Sequence, residues 1–143
     1  MDSFVASKGY VVVGGTAGIG LAAARALAAQ GGNVALIGRD RGRADAAAEL
    51  LSSKHGVRAV AVPGDATLGQ AEVDRFIGEA VAALGSVAGL AVTTGTAREM
   101  YRHPLAEMSD AAWRRSFEDL FMGTVRPCMA IVPICSSAVR ERS

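Results

Sequence analysis

The sequence predicts an α/β protein with a doubly wound parallel sheet of about four strands and helices on both faces. The chain has 143 residues, which suits one hydrophobic core. Short valine- and leucine-rich runs alternate along it with longer, alanine-rich stretches of helix-forming residues. This alternation is typical of βαβ units. Because their crossovers are right-handed, we expect the strand order 3-2-1-4, with the first strand in the middle.

The first half of the chain predicts two strands and two helices. Residues 10–13 form a β-branched run next to glycine, which is typical of a strand buried on both faces. Strong helix formers predict the first helix over residues 21–30, and a glycine pair ends it. Residues 33–37 are predicted as the second strand and residues 41–54 as the second helix. We expect one face of the first helix to be lined by Ile19, Ala22, Ala23, Ala26 and Leu27.

The second half continues the alternation and ends in a long helix. Residues 58–62 and 89–94 are predicted as the third and fourth strands, on either side of a helix over residues 68–84. Ser109 resembles an N-cap for a helix that extends to about residue 133. Pro127 is expected to kink or interrupt that helix unless a new one begins there. Apolar residues at helical spacing in the third helix are Val73, Phe76, Ile77 and Val81.

Charge and composition exclude several classes of protein. The 15 basic and 14 acidic residues give a net charge of +1, which argues against a nucleic-acid partner. No apolar run approaches the roughly 18–20 residues of a membrane span, and the start does not resemble a signal peptide. Cys128 and Cys135 imply no disulfide framework, and no metal-ligand spacing is present. We therefore expect a cytoplasmic protein with a single domain over residues 1–143.

A glycine-rich loop between the first strand and the first helix carries the main functional signal. Its sequence is Gly14-Gly15-Thr16-Ala17-Gly18-Ile19-Gly20. Glycine permits the tight turn and the close approach of a pyrophosphate, and the following helix presents N–H groups and the positive end of its dipole. The pattern therefore predicts a dinucleotide site; the alternative is a glycine-rich turn without a ligand.

The spacing Gly-x-x-x-Gly-x-Gly on Gly14, Gly18 and Gly20 resembles the short-chain dehydrogenase/reductase family, which has a Rossmann-like fold. Val13 stands where that family has threonine, and residues 91–95 stand where it has an Asn-Asn-Ala-Gly strand end. The resemblance also implies an aspartate near the adenine ring, at Asp65. The predicted cofactor-binding residues are Gly14, Gly15, Thr16, Gly18, Ile19, Gly20, Gly38, Arg39, Asp65, Ala66, Thr93, Thr94 and Gly95.

The end of the second strand favours NADP(H) over NAD(H). An acidic residue about 20 positions after the glycine loop would bind the ribose 2′-hydroxyl of NAD. Gly38 occupies that place and Arg39 follows it, with Arg41 and Arg43 close behind. A guanidinium group suits a 2′-phosphate. The alternative is an ordinary solvated helix start that happens to carry arginine.

The sequence does not contain the motif that would supply the proton in this family. The family resemblance implies a Tyr-x-x-x-Lys motif, but Gly14 follows Tyr10 and Leu105 follows Tyr101 at the lysine position. Leu120 occupies the place of an asparagine in the long helix. We therefore predict no catalytic residues and expect the chain to be truncated after the long helix. Whether it is an enzyme stays open.

Two further residues could carry acid–base chemistry. Tyr101 and His103 follow the fourth strand, at the edge where open α/β sheets bind ligands. The alternative is that both belong to a polar surface loop.

Three functions remain open at this stage. The chain could act with NADP(H) on a small carbonyl or alcohol, bind the nucleotide without catalysis, or serve as an interaction module on the same scaffold. A truncated sheet leaves the fourth strand as an exposed edge at residues 90–92. We therefore expect self-association through that edge or through the 109–133 helix, or a rearranged C-terminal helix that covers the edge. The helix side chains expected to be exposed are Phe117, Leu120, Phe121 and Val125.

Overall fold

The structure is a computed structural model that describes residues 4–95 and 104–140, with side chains up to residue 135. Its strands and longer helices are β1 (Gly9–Val13), α1 (Gly18–Ala29), β2 (Asn33–Gly38), α2 (Arg41–His55), β3 (Ala59–Pro63), α3 (Gln70–Leu84), β4 (Gly89–Val92), α4 (Asp110–Ser116) and α5 (Gly123–Arg140). Short 3₁₀ turns at Ala66–Leu68 and Leu105–Glu107 precede α3 and α4. A π-helical turn at Phe117–Met122 joins α4 to α5.

The four described strands form one parallel sheet in the order β3-β2-β1-β4. This order confirms the predicted 3-2-1-4 arrangement. In the register of the sheet, Val11 pairs with Ala35 on one side and Leu90 on the other. Because all strands run the same way, their carboxyl ends meet at one edge, where the loops after β1, β2, β3 and β4 converge.

Helices cover both faces of the sheet, as predicted. On one face, Val11 and Ile37 pack in a core with Phe76 of α3 and Ile131 of α5. On the other face, the core contains sheet residues together with residues of α1 and α2, namely Val12, Val34, Leu36, Ala24, Ala28, Ala47, Ala48 and Leu51. Of the predicted inner face of α3, Val73, Phe76 and Ile77 are buried, and Val81 is half-buried and packs against the same core. These two cores hold the strands in place and so position the carboxyl edge of the sheet, where the loops converge.

The predicted face of α1 is wrong. Its buried residues are Gly20, Ala24 and Ala28, whereas Ile19 is 81% exposed. The other members of the predicted face are exposed or half-buried: Ala22, Ala23, Ala26 and Leu27. Alanine occupies so much of this helix that hydrophobicity does not single out one stripe. Close packing against the sheet decides instead, and it selects the small residues spaced four apart.

The long C-terminal helix is less regular than predicted. The Ser109 hydroxyl caps α4 by accepting a hydrogen bond from the N–H of Ala112 at 3.2 Å, as expected. The predicted interruption at Pro127 is wrong, because α5 continues through it. The irregularity is the π-helical turn that ends just before Gly123. Proline has no N–H, so Pro127 cannot donate the helical hydrogen bond to the carbonyl of Gly123, four residues earlier. This carbonyl lies at the junction with the π-helical turn, where the helix is already irregular.

An apolar surface remains on the C-terminal half. Within the described chain, β4 pairs only with β1 and is an edge strand. Phe117, Leu120 and Phe121 are 58%, 40% and 54% exposed, in agreement with the prediction, whereas Val125 is half-buried. The rings of Phe117 and Phe121 stack with their centroids 4.7 Å apart. None of the described helices is long and apolar enough to cross a membrane.

Candidate functional site

An open groove of about 910 Å³ lies at the carboxyl edge of the sheet. Strand ends and the loops after all four strands line it. The predicted residues that line this groove are Gly14, Thr16, Gly18, Ile19, Gly38, Arg39, Asp65, Thr93, Thr94 and Gly95. The structure therefore brings most of the predicted set together, although the residues come from four distant parts of the chain.

Three predicted residues do not line the groove. Gly15 and Gly20 are buried behind the glycine loop, where they allow the backbone to pack closely. The side chain of Ala66 is 3% exposed and belongs to the core beneath α3. It faces the core because the turn after β3 directs Asp65 towards the groove and the next residue inwards.

The glycine loop is held to β2 by backbone hydrogen bonds. The N–H groups of Gly14 and Gly15 both donate to the carbonyl oxygen of Ile37, at 2.9 and 3.1 Å. Gly14 has φ +83°, in the left-handed region that favours glycine. A Cβ on Gly20 would lie 2.2 Å from the Gly14 carbonyl oxygen, so only glycine lets the helix start against the loop.

Thr93 braces this loop from β4. Its hydroxyl donates to the carbonyl oxygens of Val13 and Gly14, at 3.1 and 3.3 Å. Its backbone N–H also donates to the Val13 carbonyl oxygen, at 2.9 Å. Thr93 thus contributes mainly by fixing the loop. The adjacent Thr94 has a buried hydroxyl without a hydrogen-bond partner among the described residues, and Thr94 lines the groove.

The N-terminus of α1 fits a phosphate group. The first N–H groups of a helix have no intrahelical acceptor. Here the N-cap residue Ala17 offers no side-chain acceptor, and the first turn holds no acidic residue. Gly18 has φ +51°, and a Cβ built on it would meet no atom within 4 Å, so that side is open space. The local backbone therefore presents donors and a positive dipole end to an uncrowded groove.

The end of β2 has no room for an acidic side chain. Gly38 is buried, and a Cβ on it would lie 2.5 Å from the Thr16 Cγ2 atom. Arg39 is exposed on the groove wall and forms no ion pair with any described residue. The neighbouring arginines are engaged: Arg41 lies 3.6 Å from a carboxylate oxygen of Asp45, and Arg43 lies 3.8 Å from that of Asp40. Among the described residues, Arg39 is therefore the arginine at this wall without an acidic partner.

The loop after β3 carries Asp65 with its carboxylate already engaged. One carboxylate oxygen accepts from the Thr67 N–H at 2.9 Å and from the Thr67 hydroxyl at 2.7 Å. Gly64 packs so closely on the core that a Cβ there would lie 2.5 Å from the Phe76 ring. Asp65 is thus a rigidly held, half-buried acceptor at the groove.

Sequence reasoning missed several groove residues. Asp40, Gly64 and Thr67 flank predicted positions, and their turn and capping roles could have indicated them. Asp119 had no such signal, because it reaches the groove from the π-helical turn, which does not follow the α-helical period. Leu120, the position compared with the family asparagine, is 40% exposed. Tyr101 and His103 lie outside the described residues.

No group of three or more potential metal ligands occurs among the residues that the structure describes. Cys128 is exposed and Cys135 half-buried, both as free thiols. The polar groups that converge at the groove are backbone amides, hydroxyl groups, the guanidinium groups of Arg39 and Arg43, and the carboxylates of Asp40, Asp65 and Asp119. This set suits an extended, anionic organic ligand better than a metal ion.

The parallel 3-2-1-4 sheet, with a glycine loop leading into a helix at its carboxyl edge, defines a Rossmann-like α/β fold. The sequence profile of the short chain dehydrogenase family matches residues 8–140. The chain belongs to this family, whose members bind NAD(H) or NADP(H).

Two solved structures illustrate the likeness. L-sorbose reductase from Gluconobacter frateurii, complexed with NADPH and L-sorbose, is 31% identical with a TM-score of 0.82; the match covers 93% of this chain and 49% of the reductase. A glucose/ribitol dehydrogenase of the family from Brucella melitensis is 28% identical with a TM-score of 0.80, over 94% of this chain and 55% of that one. The chain thus spans about half the length of these structures.

Proposed function

We propose that this chain binds NADP(H) in the groove, as the cofactor-binding part of a short-chain dehydrogenase/reductase. One observation carries the proposal: the uncapped N-terminus of α1 opens onto uncrowded space at Gly18 and shares the groove with Arg39, which has no acidic partner among the described residues. Backbone N–H groups suit a pyrophosphate, and a free guanidinium suits a further phosphate. A dinucleotide with a 2′-phosphate carries both groups.

Each part of the proposed ligand has a counterpart in the chain. The start of α1 would hold the pyrophosphate, Arg39 the 2′-phosphate, and Asp65 would lie beside the adenine. Thr94, which follows β4, offers a buried hydroxyl that has no hydrogen-bond partner within the described part of the chain. When bound, the cofactor supplies or accepts a hydride. The role proposed for these residues is to bind and orient it.

The proposed reaction class is hydride transfer between this cofactor and a small carbonyl or alcohol. The chemistry named for L-sorbose reductase supports a substrate of that class. The transfer also needs a proton donor, and the 143 residues contain no Tyr-x-x-x-Lys. A second candidate is therefore a nucleotide-binding module without turnover. Saturable NADPH binding without ketone reduction would favour the second candidate, and NADPH oxidation upon addition of a ketone would favour the first.

Arg39→Ala tests the choice of cofactor. Loss of a charge-assisted contact to the 2′-phosphate should weaken NADPH binding about 10- to 100-fold and change NADH binding less than about twofold. Isothermal titration calorimetry with both nucleotides measures this. Arg41→Ala is the matched control, since Arg41 is exposed, pairs with Asp45 and does not line the groove. Equal losses for NADPH and NADH in the Arg39 variant would remove the assignment.

We also propose that a second copy of the chain covers the apolar helix surface formed by Trp113, Phe117 and Phe121, which are 47%, 58% and 54% exposed. A Phe117→Glu/Phe121→Glu variant should then be monomeric in sedimentation velocity, at concentrations where the parent chain is a dimer or larger. The control is Leu50→Glu, which alters another apolar side chain, 49% exposed, on α2 at the opposite face of the sheet. A parent chain that sediments as a monomer at about 100 μM, well above usual dimer affinities, contradicts this proposal.

A further inference from the structure

Arg75 of α3 occupies an unusual position beneath the loop that carries Asp65. Its guanidinium binds Glu72 in a bidentate manner, with Nε to Oε2 at 2.9 Å and Nη2 to Oε1 at 2.7 Å. Nη1 donates to Glu79 Oε1 at 2.8 Å. Nη2 also donates to the backbone carbonyl oxygen of Pro63, at 2.8 Å. One side chain therefore connects two carboxylates of α3 to the end of β3.

The partners of Arg75 lead directly to the groove. Pro63 is the last residue of β3, two residues before Asp65. The carboxylate of Glu72 is also hydrogen-bonded by the backbone of Asp65, and this contact, together with the stronger one from Arg75, lowers the pKa of Glu72. Glu72 and Glu79 raise the pKa of Arg75 further above its ordinary value, so the guanidinium stays charged. The backbone on both sides of Gly64 is thus held by one charged cluster.

The geometry differs from that of an ordinary surface ion pair. Arg114 and Asp110, for example, form a single contact of 2.8 Å along one helix turn, with side chains 81% and 83% exposed. Such a pair constrains only its own helix. The Arg75 fork instead joins α3 to a strand end, and planar bidentate contacts fix direction as well as distance. Its effect is therefore expected on the placement of the loop over residues 63–68.

We infer that Arg75 is a positioning residue for the adenine side of the dinucleotide site, acting through the Asp65 loop. This inference rests on the proposed function. Arg75 does not line the groove, and its side-chain hydrogen bonds go to Glu72, Glu79 and the Pro63 carbonyl oxygen. It acts by keeping the backbone of Pro63 and Asp65 in the position from which the Asp65 side chain meets the ligand.

The test compares Arg75→Met, which keeps the length of the side chain, with the matched control Arg114→Met. Amide hydrogen exchange without ligand reports the loop directly, because Gly64 donates to Gly38, Thr67 to the Asp65 carboxylate and Leu68 to the Asp65 carbonyl. In Arg75→Met these amides should exchange about tenfold faster, the effect of losing one charge-assisted hydrogen bond. The amides of Gly14 and Gly15 should be unchanged, and Arg114→Met should change none of them.

NADPH affinity gives the second readout, measured well below the unfolding temperature of each variant. Arg75→Met should raise the Kd about five- to tenfold. Arg75→Lys should give a smaller rise, because lysine keeps the positive charge although it lacks the bidentate fork, and Arg114→Met should leave the Kd unchanged. Faster exchange throughout the chain, unchanged exchange in the loop, or an unchanged Kd in Arg75→Met would each overturn the inference. If the parent chain binds no NADPH at millimolar concentration, the proposed function fails. The exchange pattern then still decides whether Arg75 fixes the loop.

Discussion

Gly18→Ala is expected to weaken NADPH binding about 10- to 100-fold while the chain still folds, because one or two charge-assisted contacts to the pyrophosphate are lost. The new methyl group would project into the open space at the start of α1, where no protein atom lies within 4 Å. It therefore meets the proposed ligand and not the protein. Calorimetric titration measures the affinity, and urea unfolding measures the stability.

The matched control for this variant is Gly56→Ala. Gly56 ends α2 with φ +65°, close to the +51° of Gly18, and it too has no atom within 4 Å of a built Cβ. Both variants carry the same left-handed strain, about 1–2 kcal/mol in the free energy of unfolding. Only Gly18 lies at the groove. Similar NADPH affinity in the two variants would show that the ligand does not approach the start of α1.

Gly20→Ala is expected to have the largest effect on stability, lowering the free energy of unfolding by about 1–3 kcal/mol or more. Its Cβ would lie 2.2 Å from the Gly14 carbonyl oxygen and 2.4 Å from the Thr93 hydroxyl oxygen. The chain can relieve this contact only by moving α1 away from the glycine loop and breaking the brace that Thr93 provides. Urea unfolding followed by circular dichroism measures the loss.

The control for the Gly20 variant is a glycine-to-alanine change that should raise the free energy of unfolding instead of lowering it. Gly78 lies on the exposed side of α3, and a Cβ there would meet no atom within 4 Å. Gly78→Ala should therefore stabilise the chain by about 0.5–1 kcal/mol, the difference in helix propensity. If Gly20→Ala were as stable as Gly78→Ala, the close approach of α1 to the loop would be incorrect.

Local signals in the sequence were strong enough to predict the sheet and the position of the groove. The β-branched run before Gly14 and the helix formers after Gly20 leave one plausible strand–loop–helix unit. Parallel pairing then brings Asp65 and Thr94 to the same edge, although they lie far from Gly18 in the chain. Periodicity and chain direction determine these features, and both are visible in the sequence.

Other features depend on packing that no local pattern encodes. In α1, alanines lie on several sides, so the sequence does not determine which side is buried. The close packing of Gly20 against the carbonyl of Gly14 determines it. Asp119 reaches the groove only because the helix widens at Phe117–Met122. The sequence also places three arginines near the position proposed for the 2′-phosphate. The structure separates them, because Arg41 and Arg43 have acidic partners and Arg39 has none among the described residues.

The most direct test of NADP(H) binding in this groove is an amide NMR titration of the isotope-labelled chain with NADPH. We expect saturable shifts at residues 14–20, at Arg39 and at Asp65, all fitting one Kd, with weaker binding of NADH. The amide resonances of residues far from the groove, such as those at the C-terminal end of α2, should not shift. The absence of shifts at millimolar NADPH, or shifts centred away from the glycine loop, would contradict the proposed site.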